Sequence, residues 1–300
     1  MEDIPKSAKP GTKWLKLAAK ILISGLCLWY VSGKIDFSKA AEAIRAANWL
    51  YLVLALLLFI ASKLVSAVRL NLYFNNTGLR LTTFQNLRLY SLGMFYNLLL
   101  PGSISGDAYK VILLKRKYDV SYKKTSAAVL LDRFSGLLGL GLVGALYSVF
   151  VIPDYRWVML IISGAIVAVV VFYYIIQRWF KDFIPSFFST LLLGILVQVL
   201  QVICTYLIMA ALHIPSHVSE YIFIFLVSSV VSVLPLTIGG LGIREIVFLE
   251  GSRYFGLARE VSVVISLLFY LITVITSLAG IFFVFKDPLA QKNKDPLLDP

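Results

Sequence analysis

From residue 14 to residue 285 the chain is a succession of apolar runs separated by short polar gaps. Each run is about as long as the roughly 20 residues that an α-helix needs to cross a bilayer. Of the 300 residues, 59% are hydrophobic and 15% charged, with a mean hydropathy of +0.86. Soluble domains carry about a quarter charged residues, so this is an all-α polytopic membrane protein with no room for a water-soluble domain between its runs.

The net charge of +12 does not indicate nucleic acid. Lys and Arg flank the apolar runs instead of interleaving with exposed aromatics, which is the pattern that orients a chain in an anionic membrane. Cys27 and Cys204 both lie inside apolar segments, where a thiol behaves as a small hydrophobe, and no disulfide is expected. Lys6, Lys9, Lys13 and Lys16 precede the first run as in a signal peptide. That run ends in Trp29, Tyr30 and Val31 with no small-residue cleavage pattern, so an uncleaved helix is expected.

Six full spans are read at about 14–32, 49–74, 125–152, 157–176, 187–212 and 261–285. The stretch 36–48 carries Phe37, Ala40, Ala41, Ile44 and Ala47 on one helical face and Lys39, Glu42 and Arg45 on another. It is too short to cross and reads as a helix lying in the interface. Two further apolar runs, 84–100 and 221–234, stop at backbone breaks and are followed by short helices at 105–116 and 243–255. The basic run Lys115, Arg116, Lys117, Lys123 and Lys124 places both ends of the first hairpin on the cytoplasmic side with the N-terminal lysines.

The breaks, LLLPGSISGDAYK and VLPLTIGGLGIRE, share a register. Pro101 and Pro235 each follow Leu; Ile104 and Ile238, Gly106 and Gly240, and Lys110 and Arg244 come at equal offsets. Positive-residue bias opens the two hairpins to opposite sides, which makes them an inverted repeat of re-entrant broken helices. Irregular backbone at membrane depth needs protein or a water-filled cavity around it. Half-helix N-termini carry partial positive charge, so the breaks Pro101, Gly102, Gly106 and Pro235, Gly239, Gly240, Gly242 read as walls of an anion-attracting midplane site.

Several polar residues sit at span depth. Lys63 shares a helical side with Ser62, Ser66 and Arg69; it faces the cavity or snorkels to the interface. Gln198 and Gln201 continue a stripe from Gly194 to Thr205, as ligand contacts or as interhelical glue. Asn97 precedes the first break and has the same two readings. Asp107 and Lys110 form a local pair or bind. Asp132 and Arg133 pair with the hairpin or touch substrate, and Arg244 and Glu245 divide between headgroup and structure. His213 and His217 are interrupted by Pro215 and have no third ligand, and neither a phosphate loop nor a nucleophile elbow is present. No metal, cofactor or enzymatic activity is expected.

The segments NLLLPGSISGDAYK, LLDRFSGLLGL and LPLTIGGLGIREI, in that order, resemble the lysylphosphatidylglycerol synthase transmembrane region, also called the flippase-like membrane domain family. The resemblance covers about residues 17–285. It implies a bacterial or archaeal inner-membrane protein, some of whose relatives move aminoacylated phosphatidylglycerol between leaflets. By position, Asp107, Lys110, Asp132, Arg133, Gly239, Gly240, Gly242, Arg244 and Glu245 fall on the family's motif residues. The run Ser103-Ile104-Ser105-Gly106 departs from relatives that are richer in glycine, which leaves the geometry of the first loop open. The 300 residues hold no soluble aminoacyl-transferase domain, so synthesis of the lipid by this chain is not expected.

The expected organisation is a cytoplasmic tail at 1–13, one transmembrane domain at 14–285 with broken-helix repeats near 84–152 and 221–285, and a cytoplasmic tail at 286–300. The expected activity is translocation of a phosphate-bearing lipid headgroup through a midplane polar cavity. A secondary transporter of a soluble organic anion and an accessory subunit of an envelope-lipid pathway are the alternatives. The expected partner is an anionic phospholipid or other phosphate-bearing lipid; a homo-oligomer is allowed and nucleic acid is not expected.

Overall fold

A computed structural model describes residues 10–99, 105–118, 120–234 and 237–289, all helix and connecting turns. The break residues Pro101, Gly102 and Pro235 and most of both tails lie outside the described residues. In chain order the helices are α1 (Pro10–Ser32), α2 (Phe37–Arg45), α3 (Trp49–Asn76), α4 (Thr83–Leu99), α5 (Ser105–Tyr118) and α6 (Tyr122–Val151). They continue with α7 (Tyr155–Trp179), α8 (Phe187–Ala211), α9 (Val218–Ser232), α10 (Ile243–Phe255) and α11 (Arg259–Leu278). Short 3₁₀ turns at Lys181–Ser186 and Ala279–Phe283 extend α8 and α11. Among the described residues five helices are long and apolar enough to cross a membrane, and a bent pair raises the number to six. That pair is α1 and α2, which meet at 92°.

Local chemistry sets these limits. Asp36 caps α2 by accepting from the Ser38 and Lys39 N–H groups at 2.8 and 3.4 Å, which stops α1 from running on. Asn48 caps α3, Ser121 α6 and Asp154 α7 in the same way. The two pairs α4/α5 and α9/α10 each fold back on themselves, and both pack against α6. Helix α7 turns most of its apolar side chains outward, whereas α11 buries half of its apolar window. Trp157, Leu160, Val167, Val170 and Tyr174 on α7 are thus exposed apolar groups of the kind that only lipid accommodates.

The apolar interior is divided in two. One cluster joins Ala55 and Phe59 of α3, Leu140 and Val143 of α6, and Cys204 and Ile208 of α8 to α9, α10 and α11. The other joins Leu70, Tyr73 and Phe74 of α3, Ala128 and Leu131 of α6, and Phe187 to α4, α5 and α7. Each hairpin therefore has its own core, and α3, α6 and α8 serve both. Between the clusters these helices place Ser62, Lys63, Ser66 and Arg69, then Asp132, Arg133 and Ser135, then Gln198 and Gln201. A polar layer crosses the middle of the bundle.

Helices α6 and α8 touch through backbone. A Cβ on Gly139 would lie 2.6 Å from the Gly194 carbonyl carbon, and one on Gly194 would lie 2.7 Å from the Ser135 oxygen. Small residues at such crossings let membrane helices gain van der Waals contact. After α11, Asp287 pairs with Lys117 of α5, Gln85 donates to the Leu289 carbonyl at 3.2 Å, and Leu289 is fully buried. The chain thus straps the base of the first hairpin.

Gly194→Leu should destabilise the detergent-solubilised protein by about 1–3 kcal/mol through overpacking. Gly164→Leu, on the open face of α7 with nothing within 4 Å, should leave the melting temperature unchanged. Equal melting temperatures would remove the α6/α8 contact from the account. The hydrogen bond from Lys117 holds the Asp287 carboxyl below its ordinary range. Because the folded-state value is depressed, this contribution is complete above about pH 4 and fades as pH falls through the lower folded-state value. Asp287→Asn should release the strap already at neutral pH, read as loss of hydrogen-exchange protection at residues 287–289.

Candidate functional site

The first hairpin closes through glycine. A Cβ on Gly106 would lie 2.0 Å from the Gly93 carbonyl oxygen, so α4 and α5 meet backbone to backbone. A Cβ on Gly93 would lie 2.0 Å from Lys110 Cε, so Gly93 also makes the slot into which the lysine folds. There the ammonium sits 4.7 Å from the Tyr90 ring centroid and donates to Asp107 Oδ1 at 2.9 Å. The second Asp107 oxygen accepts from Arg133 Nε of α6. Asn97 Oδ1 receives the Gly106 N–H at 2.9 Å and ties the two helices across the break.

The second hairpin closes differently. Gly239, Gly240 and Gly242 have φ of 60°, 88° and 91°, a region that side chains rarely tolerate. Glu245 accepts the Gly242 N–H at 2.6 Å and the Ser266 hydroxyl at 2.8 Å, and is fully buried. It caps α10 and fastens it to α11. Ile238 donates to Ser24 Oγ of α1 at 3.2 Å, and a Cβ on Gly242 would lie 2.7 Å from Cys27 Cβ, so α1 backs this loop. Arg244 points the other way. Its guanidinium lies 4.9 Å from the Phe269 ring and 5.9 Å from the Phe225 ring, and Nη1 is buried without a hydrogen-bond partner.

Between the hairpins lies a cavity of about 370 Å³. Among the described residues its ionisable lining is Lys63, Arg133 and Arg244, three cations with no carboxylate. Asn97, Gln198 and Gln201 supply amides, and Ser229, Ser232, Thr273 and Ser277 hydroxyls. Gln198 donates to the Gly136 carbonyl at 3.4 Å, and Ser229 Oγ is buried with no partner. The Lys63 ammonium stands 4.4 Å from the Phe59 ring centroid, within electrostatic range of Arg69 and Arg244. Behind this wall Arg69 donates to Asp132 at 2.7 Å, both buried.

The structure therefore separates the sequence candidates into two groups. Lys63, Asn97, Arg133, Gln198, Gln201 and Arg244 converge on one cavity. Asp107, Lys110, Asp132 and Glu245 stand behind it, each buried and bonded to protein. Lys110 and Arg244, which match in the sequence repeat, thus hold different posts: the first is folded into its hairpin and the second faces the cavity. Sequence reading missed the Ser229 and Ser232 pair and the Thr273 and Ser277 pair. Thr273 and Ser277 fall four apart on α11, a signal open to inspection.

A site so built offers cations and unpartnered donors, the groups that suit an anion. It offers no cluster of three His, Cys, Asp or Glu side chains for a metal among the described residues. The chain is 26% identical over 163 residues to a UPF0104 membrane protein of Pyrococcus horikoshii, a stretch that is 53% of this chain and 48% of that protein. It is 25% identical over 178 residues to a UPF0104 membrane protein of Archaeoglobus fulgidus, 55% of this chain and 49% of that one. The chain spans about half the length of these curated relatives. Residues 17–280 match the profile of the lysylphosphatidylglycerol synthase TM region. With nearly the whole helical bundle inside that match, the chain belongs to the lysylphosphatidylglycerol synthase transmembrane-region family.

Proposed function

We propose that this protein is a lipid translocase that carries a phosphate-bearing headgroup between leaflets through the cavity shared by its two hairpins. The observation that carries the reading is the lining: Lys63, Arg133 and Arg244 face one space with no acid among them. Removing a phosphate from water is costly unless cations and N–H donors replace the hydration shell. Arg244 Nη1 and Ser229 Oγ are buried donors without partners, which a bound anion would satisfy. Val233 lines the cavity and is 48% exposed, so an apolar margin links the polar interior to the outer surface of the bundle. A lipid needs such a margin, since its chains stay outside while its headgroup crosses. A soluble organic anion does not.

In this reading the hairpins are inverted repeats that open to opposite sides of a bacterial or archaeal cell membrane, with both termini cytoplasmic. The protein binds and releases without breaking covalent bonds. Lys63, Arg133 and Arg244 hold the phosphate; Asn97, Gln198 and Gln201 hydrogen-bond the rest of the headgroup. Asp107, Asp132 and Glu245 keep neighbouring cations and helix ends in place.

Purified protein in vesicles containing phosphatidylglycerol with an acyl-chain fluorophore should equilibrate the lipid between leaflets, read by chemical quenching of the outer leaflet. Lys63→Ala or Arg244→Ala should slow this about ten- to hundredfold, the value of a charge-assisted hydrogen bond or two, with melting temperature retained. Wild-type rates in both variants would overturn the assignment, and uptake of glycerol phosphate without lipid exchange would assign a soluble substrate. Arg69→Ala should behave differently. It strands Asp132 as a buried unpaired carboxylate, a loss of about 3–5 kcal/mol of stability.

A further inference from the structure

A second cavity, larger than the central one, lies apart from it. A groove of about 1040 Å³ runs between the α6–α7 turn and the second hairpin. Its walls include Ile152, Trp157 and Ile161 on one side and Phe223, Val227 and Tyr254 on the other. Glu250 is the single charged residue of this lining among the described residues. At Glu250 the groove meets a second depression of about 220 Å³, on the neighbouring face of α10, lined by Tyr30, Lys34, Leu249, Glu250, Arg253 and Arg259. Three cations gather here where α1 ends, α10 ends and α11 begins. The one carboxylate among them already accepts from the Tyr30 hydroxyl at 2.9 Å and lies 3.9 Å from Arg253. The depression therefore keeps an excess of positive charge.

We propose that the groove and this basic depression form a binding site for one anionic phospholipid, separate from the central cavity. The acyl chains lie in the groove and the phosphate rests on Lys34, Arg253 and Arg259. The volume is at the upper end of ordinary ligand pockets, and its lining is what an acyl chain requires. Charge complementarity names the head: three cations on one edge of an apolar trough favour a phosphate carrying net negative charge over a zwitterionic headgroup. Trp157 and Tyr254 are 60% and 84% exposed, the amphipathic rings that gather at the headgroup level of a membrane. Gly251 fixes the wall, since a Cβ there would lie 2.8 Å from Ile224, and its absence seats α10 against α9. Helix α10 thus carries Arg244 into the central cavity at one end and a lipid cradle along the other.

The test is native mass spectrometry of the full chain in detergent, titrated with phosphatidylglycerol or phosphatidylcholine. Wild type should retain phosphatidylglycerol preferentially. The triple variant Lys34→Ala, Arg253→Ala, Arg259→Ala changes only exposed side chains and should lower that retention at least tenfold, with phosphatidylcholine unaffected. Val227→Trp, which fills the groove, should lower retention of both lipids. The comparison is repeated in an Arg244→Ala background, where the central cavity is weakened, and there too the triple substitution should lower phosphatidylglycerol retention at least tenfold. Retention of phosphatidylglycerol by the triple variant at the level of that background would overturn the proposal. A dimer in wild type that Val227→Trp dissociates, with no lipid bound, would assign the groove to a second copy of the chain and equally overturn it.

Discussion

Arg69 and Asp132 meet at 2.7 Å in the middle of a bundle whose apolar clusters lie to either side of them. Two opposite charges at that depth are tolerable only because each is the other's partner, and neither persists there alone without large cost. Their pairing lets α3 and α6 carry a polar layer through an otherwise oily interior. The glycines beside them make the room: a Cβ on Gly136 would lie 3.0 Å from the Arg69 guanidinium. Once that layer exists, Lys63, Arg133, Gln198 and Gln201 can share it, and a cavity with hydrogen-bonding walls follows.

The two hairpins are built to the same plan with different fastenings. The first relies on close backbone approach at Gly93 and Gly106 and on a carboxylate shared by two cations. The second relies on three glycines of positive φ and on a carboxylate that caps a helix. In each case the acid serves the protein while a basic residue, Arg133 or Arg244, is presented to the cavity. That division explains why the charged residues of the described lining are all cations although the surrounding helices hold acids.

Much of this was open to sequence reading because apolar run length and proline–glycine breaks are local signals. Helix α10 begins and ends where the sequence places it, at Ile243 and Phe255, since Gly242 and Gly256 mark both limits. What the sequence withheld was direction. Lys110 and Arg244 stand in equal register, yet only geometry shows that Gly93 leaves a slot which draws Lys110 inward. Glu245 beside Arg244 looked equally suited to a ligand; its bond to the Gly242 N–H depends on a backbone turn that no spacing reveals. Arg69 lay on the same helical side as Lys63, but its partner is 63 residues away on another helix.

Asp107 has one further implication. Its carboxylate joins Lys110 within the first hairpin to Arg133 on α6, and Arg133 also reaches the cavity. A guest that pulled this guanidinium toward itself would do so at the expense of the tether. Because Gly93 and Gly106 bind α4 and α5 into a single stiff piece, the freedom so gained would belong to the hairpin as a body. Guest and tether would then compete for the same arginine.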